Sequence, residues 1–134
     1  MPAITTALGF TIRLLIAVGL GILIGAERQL TKHRTGIVTN VIVCVGSYAF
    51  TAFSYLANDG NTDVTRIAAQ IVSGIGFLGA GVIISDGTKI KGINTAASIW
   101  SSASVGILCC LEKWWFAAIV AGAMVLAHLL IHPI

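Results

Sequence analysis

Charge is scarce in this chain. Lys and Arg number 8, Asp and Glu number 5, and together they make up 10% of 134 residues, while 57% are hydrophobic. A soluble domain carries about 25% charged residues. A soluble body of this size would lack the polar surface to cover itself, so the composition fits hydrocarbon as solvent. The net charge of +3 would suggest nucleic acid in a soluble protein. Here the placement of the charges along the chain carries the information, and no nucleic-acid partner is expected.

Other absences narrow the function. No Asp or Glu falls in the middle of an apolar run, so an intramembrane carboxylate proton relay lacks its usual part. Magnesium prefers carboxylate oxygens, and only Glu27 and Asp86 are acids on the side assigned below to the cytoplasm. Cys44, Cys109 and Cys110 all lie in apolar stretches and show no CxxC or Cys/His zinc spacing. They read as small buried side chains, and neighbours such as Cys109 and Cys110 are poorly placed to bridge. His33, His128 and His132 sit in no recognised nucleophile context. No catalytic residue, metal or cofactor is therefore expected. No basic stretch precedes the hydrophobic run after residue 6, and more apolar sequence follows Glu27-Arg28, so the first run reads as a retained span. There is no long linker and no repeat of 20–50 residues. One transmembrane domain over 1–134, with no soluble C-terminal domain, is the expected organisation.

What is present is five apolar segments, 8–26, 36–57, 67–84, 93–111 and 114–131. Each has the length of a spanning helix, roughly 17–25 residues. Barrel strands are shorter and alternate, and backbone groups in hydrocarbon need internal partners. The expected fold is an all-α, polytopic membrane helix bundle of about five transmembrane helices. The loop after the first span holds Arg28, Lys32 and Arg34, and the loop after the third holds Lys89 and Lys91. The loop after the second has Asp59 and Asp63 and no Lys or Arg. The positive-inside rule then puts the N-terminus outside and the C-terminus in the cytoplasm. Trp114 and Trp115 begin the fifth span, where interfacial aromatics belong. Only Glu112 and Lys113 separate spans four and five, which must form a tight hairpin.

The stretch "QIVSGIGFLGAG" contains GxGxxGxG at Gly74, Gly76, Gly79 and Gly81. A dinucleotide site needs a strand before such glycines and a helix after them. Here a charged loop follows within a few residues, so the nucleotide reading fails. Small residues let helices approach in lipid. Ser73, Gly76 and Ala80 share one face of span three, and Gly74 and Gly81 mark another. Gly21 and Gly25 form GxxxG on span one. Ala97, Ser101 and Ser104 are similarly spaced on span four. A sharper alternative is that 74–81 unwinds and offers carbonyls to an ion, as in broken transporter helices.

Polar residues within the spans form a second pattern. Arg13 is expected to snorkel outward from span one, or else to meet a partner inside the bundle. Arg66, Gln70 and Ser73 make a stripe on span three. Asn94, Ser98, Ser101 and Ser102 make a broad face on span four. Glu27 and Arg28 read as a local ion pair at headgroup level. Polar faces on adjacent spans permit a hydrated path.

The blocks "LGILIGAERQ" at 20–29, "RIAAQIVSGIGFLGAGVI" at 66–83 and "KGINTAASIW" at 91–100 closely resemble the MgtC/SapB family of bacterial inner-membrane proteins. The resemblance covers roughly residues 12–110. It implies a membrane domain of about five helices, a role in adaptation to low magnesium and, in pathogens, survival inside host cells. The family's motif residues fall on Glu27, Arg28, Asn40, Arg66, Gln70, Gly74, Gly76, Gly79, Gly81, Asn94 and Thr95. Two positions depart from the pattern. Val38 stands where an Arg is usual, and Ser101 where Cys is frequent. Many relatives also carry a soluble C-terminal domain, whereas this sequence stops at Ile134.

The expected function is a non-enzymatic regulator in the inner membrane. It would act by helix contacts with itself, as a homo-oligomer, or with a larger membrane complex. The alternative is a small oligomeric channel or carrier for magnesium ions or protons. An intramembrane enzyme using Ser101 or Ser102 ranks third.

Overall fold

The computed structural model describes residues 3–30, 36–60, 63, 65–111 and 113–131. Lys32, His33, Arg34, Glu112 and His132 lie outside that set, as does the side chain of Asp86. Five helices follow one another: α1 (Ala7–Leu30), α2 (Ile37–Leu56), α3 (Thr65–Val82), α4 (Ile93–Cys110) and α5 (Trp114–Ile131). The chain is an all-α bundle, as the continuous apolar runs require. Four helices, α1 to α4, are long and apolar enough to cross a membrane. The fifth is apolar and just short of that length over Trp114–Leu130.

Two boundaries differ instructively from the sequence expectation. α1 runs one turn past residue 26, so Glu27 and Arg28 are helical and buried rather than sitting in a loop. α3 ends at Val82 because a short hairpin begins there, β1 (Ile84–Asp86) pairing antiparallel with β2 (Lys89–Lys91). Gly87 takes the turn with φ 62°. Gly92 then leads into α4 with φ 94°, and a Cβ there would strike the Val82 carbonyl. Glycine is needed at that junction on both counts. α3 is unbroken through 74–81, so the unwound-helix alternative is not what this sequence does.

α4 is the centre of the bundle, packed against each of the other helices, and α1 lies closely along α2. Lipid gives no hydrophobic drive between helices, so close backbone approach must supply the attraction. Small residues allow it. A Cβ on Gly21 would lie 2.9 Å from the Val41 Cα, and one on Gly25 would collide with the Ile37 Cα. A Cβ on Gly106 would collide with the Cys44 carbonyl. Gly21, Gly25 and Gly106 thus set the α1–α2 and α2–α4 crossings. One apolar core gathers Ala17, Ile24, Cys44, Tyr48, Val105 and Ala121 from α1, α2, α4 and α5. A smaller one joins Val43, Ile71, Ile99 and Ala103 from α2, α3 and α4.

α3 stands apart. Only Ile71 and Gly79 of its residues are buried. Gly79 faces Ala96 on α4, where an added Cβ would lie at an ordinary 3.5 Å from the Ala96 Cβ.

Candidate functional site

The buried polar side chains converge on one face of α4. Thr95, Ser98 and Ser102 follow at i, i+3 and i+7, so their hydroxyls form a ladder. Each meets a different neighbour. Arg28 of α1 donates from Nη2 to the Thr95 hydroxyl at 3.0 Å. The Ser98 hydroxyl lies 3.1 Å from Nε2 of His128 on α5. The Ser102 hydroxyl donates to Oδ1 of Asn40 on α2 at 2.8 Å. Asn40 in turn donates to the Gly36 carbonyl at 2.9 Å. Glu27 completes the group, its Oε2 at 3.1 Å from His128 Nδ1. Arg28, Asn40, Ser98 and Ser102 are at most 2% exposed, and Thr95 and Glu27 are buried.

The cluster joins α1, α2, α4 and α5 at the end of the bundle that holds the α1 C-terminus and the α4 N-terminus. Arg28 sits in the last turn of α1, where a cation complements the helix dipole. Isolated buried charges are expensive, and paired, hydrogen-bonded ones are tolerated. Glu27, Arg28 and His128 are arranged in that tolerated way. Among the described residues, Glu27, His128 and Ser98 stand in the order carboxylate, imidazole, hydroxyl. The Ser98 hydroxyl also donates to the Asn94 carbonyl at 2.9 Å. Through its two ring nitrogens His128 reaches Ser98 and Glu27, so the trio ties α5 to α1 and α4. No group of three His, Cys, Asp or Glu able to hold a metal occurs among the described residues.

At the opposite end, Arg13 is 1% exposed and donates from Nη1 to the Cys110 carbonyl at 2.7 Å. It does not snorkel. It caps the last residue of α4, a carbonyl left over by the helix. Tyr48 donates to the Phe10 carbonyl at 2.8 Å nearby. Between the two ends, α2 buries Asn40, Ser47, Thr51 and Ser54 along one face. The polar seam therefore belongs to α2 and α4, not to α3 and α4 as the sequence suggested.

The residues singled out from sequence divide by location. Glu27, Arg28, Asn40, Thr95 and Ser98 meet in the cluster. Gly21, Gly25 and Gly79 serve packing inside the chain. Ser101 is half-buried and Asn94 exposed, although its carbonyl holds Ser98. Arg66, Gln70, Ser73, Gly74, Gly76, Ala80 and Gly81 are all exposed on α3, and added Cβ atoms at Gly74, Gly76 and Gly81 would meet nothing within 4 Å. His128 and the Ser102–Asn40 bond were not foreseen as partners. The i, i+3, i+7 spacing of Thr95, Ser98 and Ser102 was the available signal.

The MgtC family model matches residues 14–134. The chain belongs to the MgtC family. It is 46% identical over 115 residues to Protein MgtC of Brucella abortus, covering 86% of this chain and 48% of that protein. It is 48% identical over 105 residues to Protein MgtC of Salmonella typhimurium, covering 78% of this chain and 45% of that one. The chain thus spans about half the length of the curated relatives it matches. No solved structure matches it. Within an MgtC-family framework, Glu27, Arg28, Asn40 and Thr95 are placed as the tie between helices. Of the motif residues on α3, Gly79 packs against α4, while Arg66, Gln70, Gly74, Gly76 and Gly81 are exposed. The two departures from the family pattern fall outside it, since Val38 is exposed and Ser101 only half-buried.

Proposed function

We propose that this MgtC-family protein is a non-enzymatic membrane regulator of adaptation to low magnesium, resident in the bacterial inner membrane. In a pathogen the same role would serve survival inside host cells. The N-terminus lies outside and the C-terminus in the cytoplasm. The outward face of α3 makes the regulatory contact, either with a second copy or with a larger membrane complex. One observation carries this reading: Ser73, Gly76 and Ala80 are exposed together on a helix that buries only Ile71 and Gly79. Such a small-residue face lets another helix approach closely in lipid. Replacing Gly76 by Leu should leave the fold intact, because its surroundings are open, and should abolish growth support at limiting magnesium. Wild-type complementation by Gly76→Leu, or a wild-type protein that stays monomeric and crosslinks to nothing in cells, would refute the proposal.

A second reading, a small oligomeric channel or carrier for magnesium or protons, draws support from the buried seam Asn40, Ser47, Thr51 and Ser54 on α2. Flux into proteoliposomes decides it. A conductance lost in Asn40→Leu supports the carrier. Absence of flux, or wild-type flux in Asn40→Leu, Gln70→Ala and Asn94→Ala, removes it.

A further inference from the structure

α2 and α3 diverge and leave a cleft of about 430 Å³ between Ile42, Gly46 and Phe50 on one wall and Gln70, Gly74 and Leu78 on the other. We propose that this cleft seats one acyl chain of a zwitterionic, amine-bearing phospholipid whose phosphate is held by Arg66. The assignment does not draw on Gly76 or Ala80, which lie on another side of α3, and Ser73 borders both faces.

The row along α3 has the polarity of a lipid. Arg66, Gln70, Gly74 and Leu78 follow at successive intervals of four residues and so form one slanting ridge. Arg66 is exposed and lies one turn before Gln70, just beyond the residues that line the cleft. Gln70, one turn deeper, brings an amide into a lining whose other polar side chain is Ser47, at the level of a glycerol ester carbonyl. Gly74 leaves room along that wall, with nothing within 4 Å of an added Cβ. Leu78 lines the apolar end. A cation, an amide, room along the wall and a hydrocarbon end match phosphate, ester and acyl chain in that order.

The dimensions favour a lipid over a helix. Twelve residues from Arg66 to Leu78 rise about 18 Å at ~1.5 Å each. That is close to one leaflet of a hydrocarbon core about 30 Å thick. A transmembrane helix needs a seat through the whole thickness. At roughly 30 Å³ per water-sized group, the volume holds about fourteen such groups, the scale of one acyl chain.

The mouth selects the headgroup. Asp63 lies within electrostatic reach of Arg66. Its Oδ1 accepts from the Thr65 amide at 2.9 Å and the Thr65 hydroxyl at 2.7 Å. Those bonds hold its carboxyl below the usual carboxylate range, so it is charged at neutral pH. Arg66 and Asp63 together offer a cation for phosphate and an anion for ammonium. A headgroup with phosphate and no amine meets Arg66 but is repelled by Asp63.

The test uses the full chain, delipidated in detergent and offered equal amounts of phosphatidylethanolamine and phosphatidylglycerol, with bound lipid read by native mass spectrometry. The proposal expects one phosphatidylethanolamine per chain, preferred at least tenfold. Arg66→Gln should lose that preference, and Gly74→Phe, which fills the room along that wall, should lose the lipid. Arg66→Gln alters an exposed side chain, so its helical circular dichroism should match wild type and keep the test valid if Gly74→Phe misfolds. Equal retention of the two lipids by wild type overturns the headgroup assignment. Wild-type retention in both variants overturns the site. A wild-type dimer that carries no lipid and is broken by Gly74→Phe shows a second copy in the cleft and also overturns it.

Discussion

Arg13 shows how a single side chain escapes sequence reasoning. Its cost inside a span depends on whether a partner exists, and the partner is a backbone carbonyl 97 residues away. No local pattern could reveal it. Removing a hydrogen bond to a charged group costs about 1.5–3 kcal/mol. Arg13→Leu should lower the unfolding free energy in detergent by that order, and Arg13→Lys by less. Asn40 and Ser102 make a more modest pair. Interhelical bonds in membranes average about 0.6 kcal/mol and reach about 1.7. A double-mutant cycle with Asn40→Ala and Ser102→Ala should give a coupling inside that range, and a coupling near zero would deny the bond. Glu27 and Arg28 were legible as residues of note, but as a headgroup-level pair. Their burial against Thr95 and His128 became visible only once α4 and α5 were placed beside α1.

Among elements, the helices were legible because uninterrupted apolar runs leave no other way to satisfy the backbone in lipid. The hairpin at 84–91 was not, although Asp86-Gly87 is a turn signal, because three-residue strands carry no periodicity of their own. Gly21 and Gly25 of α1 lie against α2, but sequence could not say which of the glycines faced another helix of the same chain. Gly25→Val should therefore prevent folding, by driving a side chain into Ile37, while Gly81→Ala should fold normally. Heat-induced loss of helical signal distinguishes the two. The start of α3 depends on Asp63. Its folded carboxyl is held below its ordinary value, so its contribution is present above about pH 3.9 and is lost as pH falls through the lower folded value. Faster amide exchange at Thr65 and Arg66 in that acidic window, already present at neutral pH in Asp63→Ala, is the expected signature.

At the scale of the whole molecule, the charge distribution is the evidence for orientation. Arg28 is buried against Thr95, so the basic character of the first loop rests on Lys32 and Arg34. Lys89 and Lys91 are carried outward on the hairpin. A periplasmic reporter fused after Asn58 should be active, and the same reporter after Gly87 should be silent. The central claim is that the free face of α3 meets protein rather than lipid alone. The most direct measurement is site-specific crosslinking in native membranes from a single introduced cysteine. Cys44, Cys109 and Cys110 are at most 2% exposed and should stay silent. Gly76→Cys should give a covalent product with a second copy or another membrane protein, while Leu15→Cys, exposed on α1, should give none. Equal yields from the two positions, or no product from either, would contradict the account.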